Sequence, residues 1–157
     1  MASSQPTAGL YGPRLPGTRK WLGGAFDASG TAILGVPSHS GKVLKLDTAT
    51  GEVTYLPGPN LPGKFKWLRG IRTPDGAVFC IPACADCVLR IGAGGELDLL
   101  GKGVVPEPRG LGNWLYHGAG IGSDGNIYAV PSNAERVLKI DPVTWEVIHT
   151  GFICDLL

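Results

Sequence analysis

The stretch "SDGNIYAVPSNAERVLKIDP", residues 123–142, holds a turn, an apolar run, a proline, a polar loop and a second apolar run. Ser123-Asp124-Gly125-Asn126 predicts a tight turn, because Asp and Gly accept the backbone angles such turns demand. Ile127-Tyr128-Ala129-Val130 then reads as a strand, and Pro131 ends it by removing a ladder donor. Val137-Leu138-Lys139-Ile140 is the next strand, closed by Asp141-Pro142. The same order of signals occurs twice more upstream, and that repetition decides the fold.

Working outward, Trp21, Trp67 and Trp114 stand 46 and 47 residues apart, each followed by Leu and, within a few residues, by Gly24, Gly70 or Gly118. A turn comes next in every copy: Asp27 to Gly30, Pro74-Asp75-Gly76, and Ser123-Asp124-Gly125. A strand ending in proline follows: "TAILGVP", "AVFCIP", "NIYAVP". From Pro37, Pro82 and Pro131 the register runs without gaps: Val-Leu, a basic residue (Lys45, Arg90, Lys139), then Leu or Ile. The fourth strands are "GEVTYLPG", "GELDLLG" and "WEVIHTG". Four short strands in about 46 residues is the size of one propeller blade.

Composition agrees. Gly 25 and Pro 13 in 157 residues is about twice the usual share of breakers. With 43% hydrophobic residues the chain is nevertheless a core-former rather than a low-complexity segment. Periodic apolar runs leave no room for a stable helix, so the expectation is an all-β chain. A net charge of +1 gives no reason to expect nucleic acid or an anionic membrane as partner. No run approaches the roughly 18 apolar residues of a spanning helix. The N-terminal segment is rich in Pro and Gly and lacks an apolar signal core, which leaves the cytoplasm as the default expectation.

The third copy, "GAGIGSDGNIYAVPSNAERVLKIDP", resembles the repeat of NHL-type β-propellers and of the related YVTN and SMP-30-like propellers. In those families a strand leads to a D-G-N-I-Y-like turn, a polar loop and a V-x-x-I/F-D strand. All three copies are similar, over about residues 20–152. They depart in carrying Pro plus a small residue where Ala-Asp is usual, and in the Trp-Leu motif. The resemblance implies the propeller class.

The expected organisation is three blades of about four antiparallel strands, at 20–65, 66–112 and 113–157. Residues 1–19 are expected to be the tail of a preceding blade, because "GPRLPGTRKW" and "GPNLPGKFKW" match closely. Three blades do not close a ring, which normally takes four or more. Either the chain belongs to a longer propeller or two copies form a six-bladed homodimer. In the dimer, a strand around Leu10-Tyr11 would join the partner's edge near Val147-Ile148.

In a blade, the loops after strands two and four emerge on one face, which becomes the default binding surface. The candidates there are Trp21, Trp67 and Trp114, with His39, Cys84 and Asn133 at one equivalent position. Lys64, Lys66 and Arg109 would add positive charge, and Ser38 is expected in a surface loop. Trp residues can anchor a partner. A Trp repeated in every blade can equally fill the space between blades. Cys80, Cys84 and Cys87 form a single C-x2-C knuckle plus one, short of a zinc set, and Cys154 lies far off, so these read as structural. Asp27, Asp75 and Asp124 sit in turns, where Asp bonds its own backbone. His117 breaks the repeat on the channel-side strand, yet the sequence places no carboxylate or nucleophile beside it. SMP-30-like propellers hold metal with acidic and amide ligands, and no matching set occurs here.

The function expected is therefore a non-enzymatic propeller module binding a protein or a small polar ligand through its loop face, without a cofactor. The alternative is a propeller hydrolase, lactonase or lyase whose channel site is completed by further blades or a second chain.

Overall fold

A four-stranded meander with apolar side chains on both faces cannot cover either face by itself, so it has to stack. Three such meanders stack in the computed structural model, which describes residues 12–108 and 110–153, without the side chains of 152 and 153. The first blade holds β1 (Trp21–Phe26), β2 (Ala32–Pro37), β3 (Leu44–Asp47) and β4 (Val53–Tyr55). The second holds β5 (Trp67–Arg72), β6 (Val78–Pro82), β7 (Val88–Ile91) and β8 (Leu97–Leu100). The third holds β9 (Tyr116–Ile121), β10 (Ile127–Pro131), β11 (Arg136–Ile140) and β12 (Val147–Ile153). Each sheet follows chain order with antiparallel neighbours, and no helix occurs among the described residues. The chain is all-β and forms part of a β-propeller, with β1, β5 and β9 side by side on the inner edge. The strand anticipated at Leu10-Tyr11, together with Arg109 and Cys154, lies outside the described residues.

Period-two alternation distributes the core. On β6, Val78 and Cys80 point into a layer shared with Leu34, Val36 and Val43 of the first blade. Phe79 and Ile81, the intervening residues, point into a layer shared with Tyr116, Ile127 and Leu138 of the third. The middle blade is thus covered on both faces. The outer two are covered on one, and Val130 is 60% exposed at the position where Val36 is fully buried.

The inner-strand register corrects the alignment of the third copy. Trp21 pairs with Pro37 and Trp67 with Pro82, but the residue opposite Pro131 is Tyr116. Tyr116, fully buried, fills the slot of the first two tryptophans. Trp114 sits two residues earlier, ahead of the strand. Counting back from the shared proline, rather than matching Trp-Leu, would have found this. A second correction concerns Ser38, which is fully buried rather than on the surface. Its N–H donates to the Lys20 carbonyl at 2.9 Å, and its own carbonyl accepts from Lys66 Nζ, just ahead of the second blade. The last strand also begins at Val147, not at Trp145; Trp145 occupies a left-handed turn position (φ 64°) in which the first copy has Gly51 (φ 75°).

Turn chemistry is local. Ser29 Oγ donates to Asp27, Thr73 Oγ1 to Asp75, and Asn126 Nδ2 and Tyr128 OH to Asp124; these side-chain bonds, with the backbone N–H bonds from Ala32, Ala77 and Asn126, hold the carboxylates below their ordinary range. Burial opposes the shift at each, and at Asp27 it is the largest single influence. Gly76 (φ 88°) and Gly125 (φ 80°) supply the same left-handed turn position. They differ in what lies beyond. A Cβ on Gly76 would stand 2.6 Å from Ala28 Cβ and 3.0 Å from its Cα, across the blade junction, whereas a Cβ on Gly125 would meet nothing within 4 Å.

Gly76→Ala and Gly125→Ala both place a side chain at positive φ, costing about 1–2 kcal/mol. Gly76→Ala must also push two blades apart, adding about 1–3 kcal/mol. Urea unfolding should show the Gly76 variant clearly less stable than the Gly125 variant; equal midpoints would mean that the second blade does not sit against the first as described.

Candidate functional site

Three carbonyls organise the loop face. Lys20 O accepts N–H bonds from Ser38, His39 and Ser40 at 2.9, 3.2 and 3.0 Å. Lys66 O accepts from Ala83, Cys84 and Ala85 at 2.8, 3.2 and 3.1 Å, and Leu115 O from Ser132, Asn133 and Ala134 at 2.8, 3.2 and 3.1 Å. Each clamp ties the loop after the second strand to the residue before the first, so the residues flanking it are equivalent in space. His39, Cys84 and Asn133 form one such set. Each also donates to the carbonyl of the residue before the clamp: Arg19, Phe65 or Trp114. Asn133 reinforces this with its Nδ2, 2.8 Å from Trp114 O.

Arg19, Phe65 and Trp114 therefore occupy one repeat position in successive blades, and together they make a stack. The Arg19 guanidinium lies 5.7 Å from the Phe65 ring centroid. Phe65 lies 6.3 Å from Trp114, and Trp114 stacks nearly parallel on His117 at 5.3 Å with 14° between planes. His39 meets Phe65 edge-on at 4.4 Å and 83°. Arg19 and Phe65 both hold positive φ, 48° and 51°, which a side chain adopts at a cost of order 1 kcal/mol. Trp114 Nε1 and His39 Nε2 are covered and have no hydrogen-bond partner among the described residues. Trp114 and the exposed His117 also line a groove of about 470 Å³ along the inner strands, with Leu22, Leu68, Arg69 and Ala119.

The other candidates are placed elsewhere. Trp67 is 3% exposed, and its Nε1 donates to Cys87 O at 2.8 Å. Trp21 is half-buried, donates to Lys42 O at 2.9 Å and stacks on Tyr55 at 6.1 Å. Both bolt the inner strand to the loop after the second strand, and Trp67 keeps almost no exposed surface. Lys66 is not a surface charge either. Buried, its Nζ donates to Ser38 O (2.6 Å), Ser40 O (3.0 Å) and Gly63 O (3.2 Å), and burial lowers its pKa to about 8. Lys64 stays exposed on this face. Cys80 and Cys87 are core residues whose thiols burial pushes up, Cys87 to about 12; Cys84 is half-buried. No three His, Cys, Asp or Glu among the described residues come together as a metal set. The sequence did not point to Arg19 or Phe65. Their signal was the loosely repeated lead-in to each blade, which in the sequence speaks only for the tail of a preceding blade.

No family model matches the chain, and no curated protein matches it. Solved structures do. Virginiamycin B lyase from Staphylococcus aureus superposes with a TM-score of 0.63 at 16% identity, over 85% of this chain and 41% of that one. A catalytically inactive form of that lyase with quinupristin gives 0.60 at 17%, over 88% and 44%. A putative 6-phosphogluconolactonase from Bacteroides uniformis gives 0.58 at 13%, over 85% and 40%. At these identities the likeness is one of fold. The chain spans about two fifths of the length of these structures. The comparisons carry the propeller class and do not extend to the NHL, YVTN or SMP-30-like branch.

A pH dependence follows from His39. Burial, then the nearby Lys64, Arg19 and Lys66, lower its pKa below the ordinary 6.5. The folded chain thus resists a proton that the unfolded chain accepts, so stability is full above about pH 6.5 and falls as the pH drops below it. His149, lowered by burial and Arg136, acts in the same direction. Thermal melts from neutral pH to about pH 5 should therefore show falling stability, less steep in His39→Gln. An unchanged slope in that variant would contradict the covered position of the ring.

Proposed function

We propose that this three-bladed unit is a non-enzymatic recognition module, binding a protein segment or a small polar ligand on its loop face over Phe65 and Trp114. The observation that carries the reading is the stack from Arg19 through Phe65 and Trp114 to His117. It crosses all three blades, and two of its members are held at strained backbone angles. Backbone strain retained in surface loops on a rigid scaffold is a mark of binding sites. Flat aromatic surface flanked by Arg19 and the exposed Lys64 suits a planar or prolyl group next to a carboxylate. Trp114 Nε1 and His39 Nε2 would gain partners through a small shift of their rings toward an acceptor-bearing ligand. The groove beside the stack offers Arg69 and His117 as its titratable side chains, with no carboxylate or nucleophile among the described residues that line it.

One observation favours the alternative of a hydrolase, lactonase or lyase. His117 is exposed at the groove on the inner strands, and proteins of similar fold are described as a lyase and a lactonase. That reading requires the remaining acid, base or metal ligand to come from further blades or a second chain.

Selection of a displayed random-peptide library on the purified chain separates the two. Enriched peptides should bind the wild type and lose about 30-fold or more on Trp114→Ala, the usual effect of removing an aromatic anchor. Trp145→Ala, on the blade flank, should bind as the wild type does. Full retention by a Phe65→Ala/Trp114→Ala variant would overturn the platform. Saturable, stoichiometric binding of Ca²⁺, Mg²⁺ or Zn²⁺ in a Trp-fluorescence titration would favour the enzyme.

A further inference from the structure

The lead-in before each blade performs a joint that the first blade leaves unmade. Ahead of the second blade, Leu61 is 4% exposed and its N–H donates to Gly41 O of the first blade at 2.9 Å. Asn60 lies directly over Gly41, so close that a Cβ there would stand 1.9 Å from Asn60 Oδ1. Lys66 N–H donates to Ser38 O at 3.4 Å, and Leu115 N–H makes the same bond to Ala83 O of the second blade at 2.8 Å. Both blade-to-blade junctions thus have a lead-in strapped across the loop of the blade before it.

Residues 12–20 are the corresponding lead-in of the first blade, matched without a gap: Gly12 to Gly58, Arg14 to Asn60, Leu15 to Leu61, Lys20 to Lys66. The structure puts this segment in the same place. A Cβ on Gly12 would touch Val53 Cγ2 at 3.6 Å, as one on Gly58 would meet Leu97 and one on Gly101 Val147, each on the outer strand of the blade that follows. Its front is uncovered: Arg14 is exposed, and Leu15 and Trp21 are half-buried where Leu61 and Trp67 are covered.

The third blade carries the complementary hollow. Its loop borders a cavity of about 450 Å³ lined by Glu107, Asn133, Ala134, Glu135, Arg136 and His149. On the second blade the equivalent space, beside Asp86, Cys87 and Leu99, is bounded by Glu107 and Pro108 from the next lead-in. By the same count from the proline, Glu135 stands where the first blade has Gly41.

We infer that the cavity on the third blade receives residues 12–20 of a second copy of this chain, with Arg14 against Glu135, and that two copies close a six-bladed ring. Arg14 and Glu135 bear opposite charges at the positions that Asn60 and Gly41 hold at the first internal junction, and this complementarity suits a second copy as occupant. The exposed Val130 then faces Gly24 of the second copy. Inside the chain Val36 faces Gly70 in the same way, its Cγ2 3.2 Å from where a Cβ on that glycine would stand. Lys20 N–H meets Ser132 O, as Lys66 meets Ser38. Two identical junctions related by a two-fold axis leave no blade face open, and six blades is within the range at which propellers close.

The test is light scattering on the full chain over a dilution series, with circular dichroism to establish that each variant is folded. The wild type should have twice the mass of the 16.4 kDa chain. Arg14→Glu and Glu135→Arg, both at exposed side chains, should each weaken the dimer about tenfold or more, and the double variant should recover it. A monomeric wild type, an open polymer, or single variants that dimerise like the wild type would each overturn the inference. So would a double variant that fails to recover.

Discussion

The constraint on which everything else depends is that a blade has two apolar faces and no means of covering either. In the middle blade, Val78 and Cys80 go one way and Phe79 and Ile81 the other, and all four are essentially inaccessible to water. Burying a side chain of this size is worth about 1.5–3 kcal/mol. Neither face reaches that unless a neighbour is in register. Stability in this chain is therefore a property of junctions rather than of blades, as in other repeat architectures. The outer blades, each with one uncovered face, are where the same physics asks for further partners.

Polar bolts then set how the junctions are aligned. Lys66 spans two blades by donating to carbonyls of the first from the threshold of the second. Its ammonium is stabilised by three carbonyls while burial works against its charge, which is why its pKa falls. At the other junction Arg90 pairs with Asp98 at 2.8 Å and lies 4.0 Å over the ring of Trp145 in the third blade. Trp145 makes this contact from the left-handed turn position that Gly51 holds in the first blade. Van der Waals layers supply most of the energy, and these directed contacts select one registration of the layers.

The loop face is a product of the same joints. Because a single carbonyl before each inner strand gathers three N–H groups, the side chain just ahead of it is turned outward at a fixed place in every blade. In three blades that place holds Arg, Phe and Trp, and the 46-residue repeat becomes a stack at contact distance. A recognition surface built this way inherits the rigidity of the strands under it. Its chemistry can still vary from blade to blade without disturbing the core.

Strand count, strand ends, turns and the three-blade organisation were legible in the sequence, because each rests on backbone rules acting within a few residues. Pro37, Pro82 and Pro131 end strands wherever they fold, and Gly76 and Gly125 take positive φ for the turn they sit in. What only the tertiary structure decided was which side chain faces what. Tyr116 rather than Trp114 entered the tryptophan slot, since the register counts from the paired proline and not from the motif. Ser38 and Lys66 looked like surface residues and are buried, because the second blade's lead-in crosses Ser38 and carries Lys66 against the first blade's loop. Arg19 and Phe65, 46 residues apart, became neighbours. Burial and proximity of this kind depend on contacts between residues tens of positions apart, and those distances exist only once the sheets have stacked.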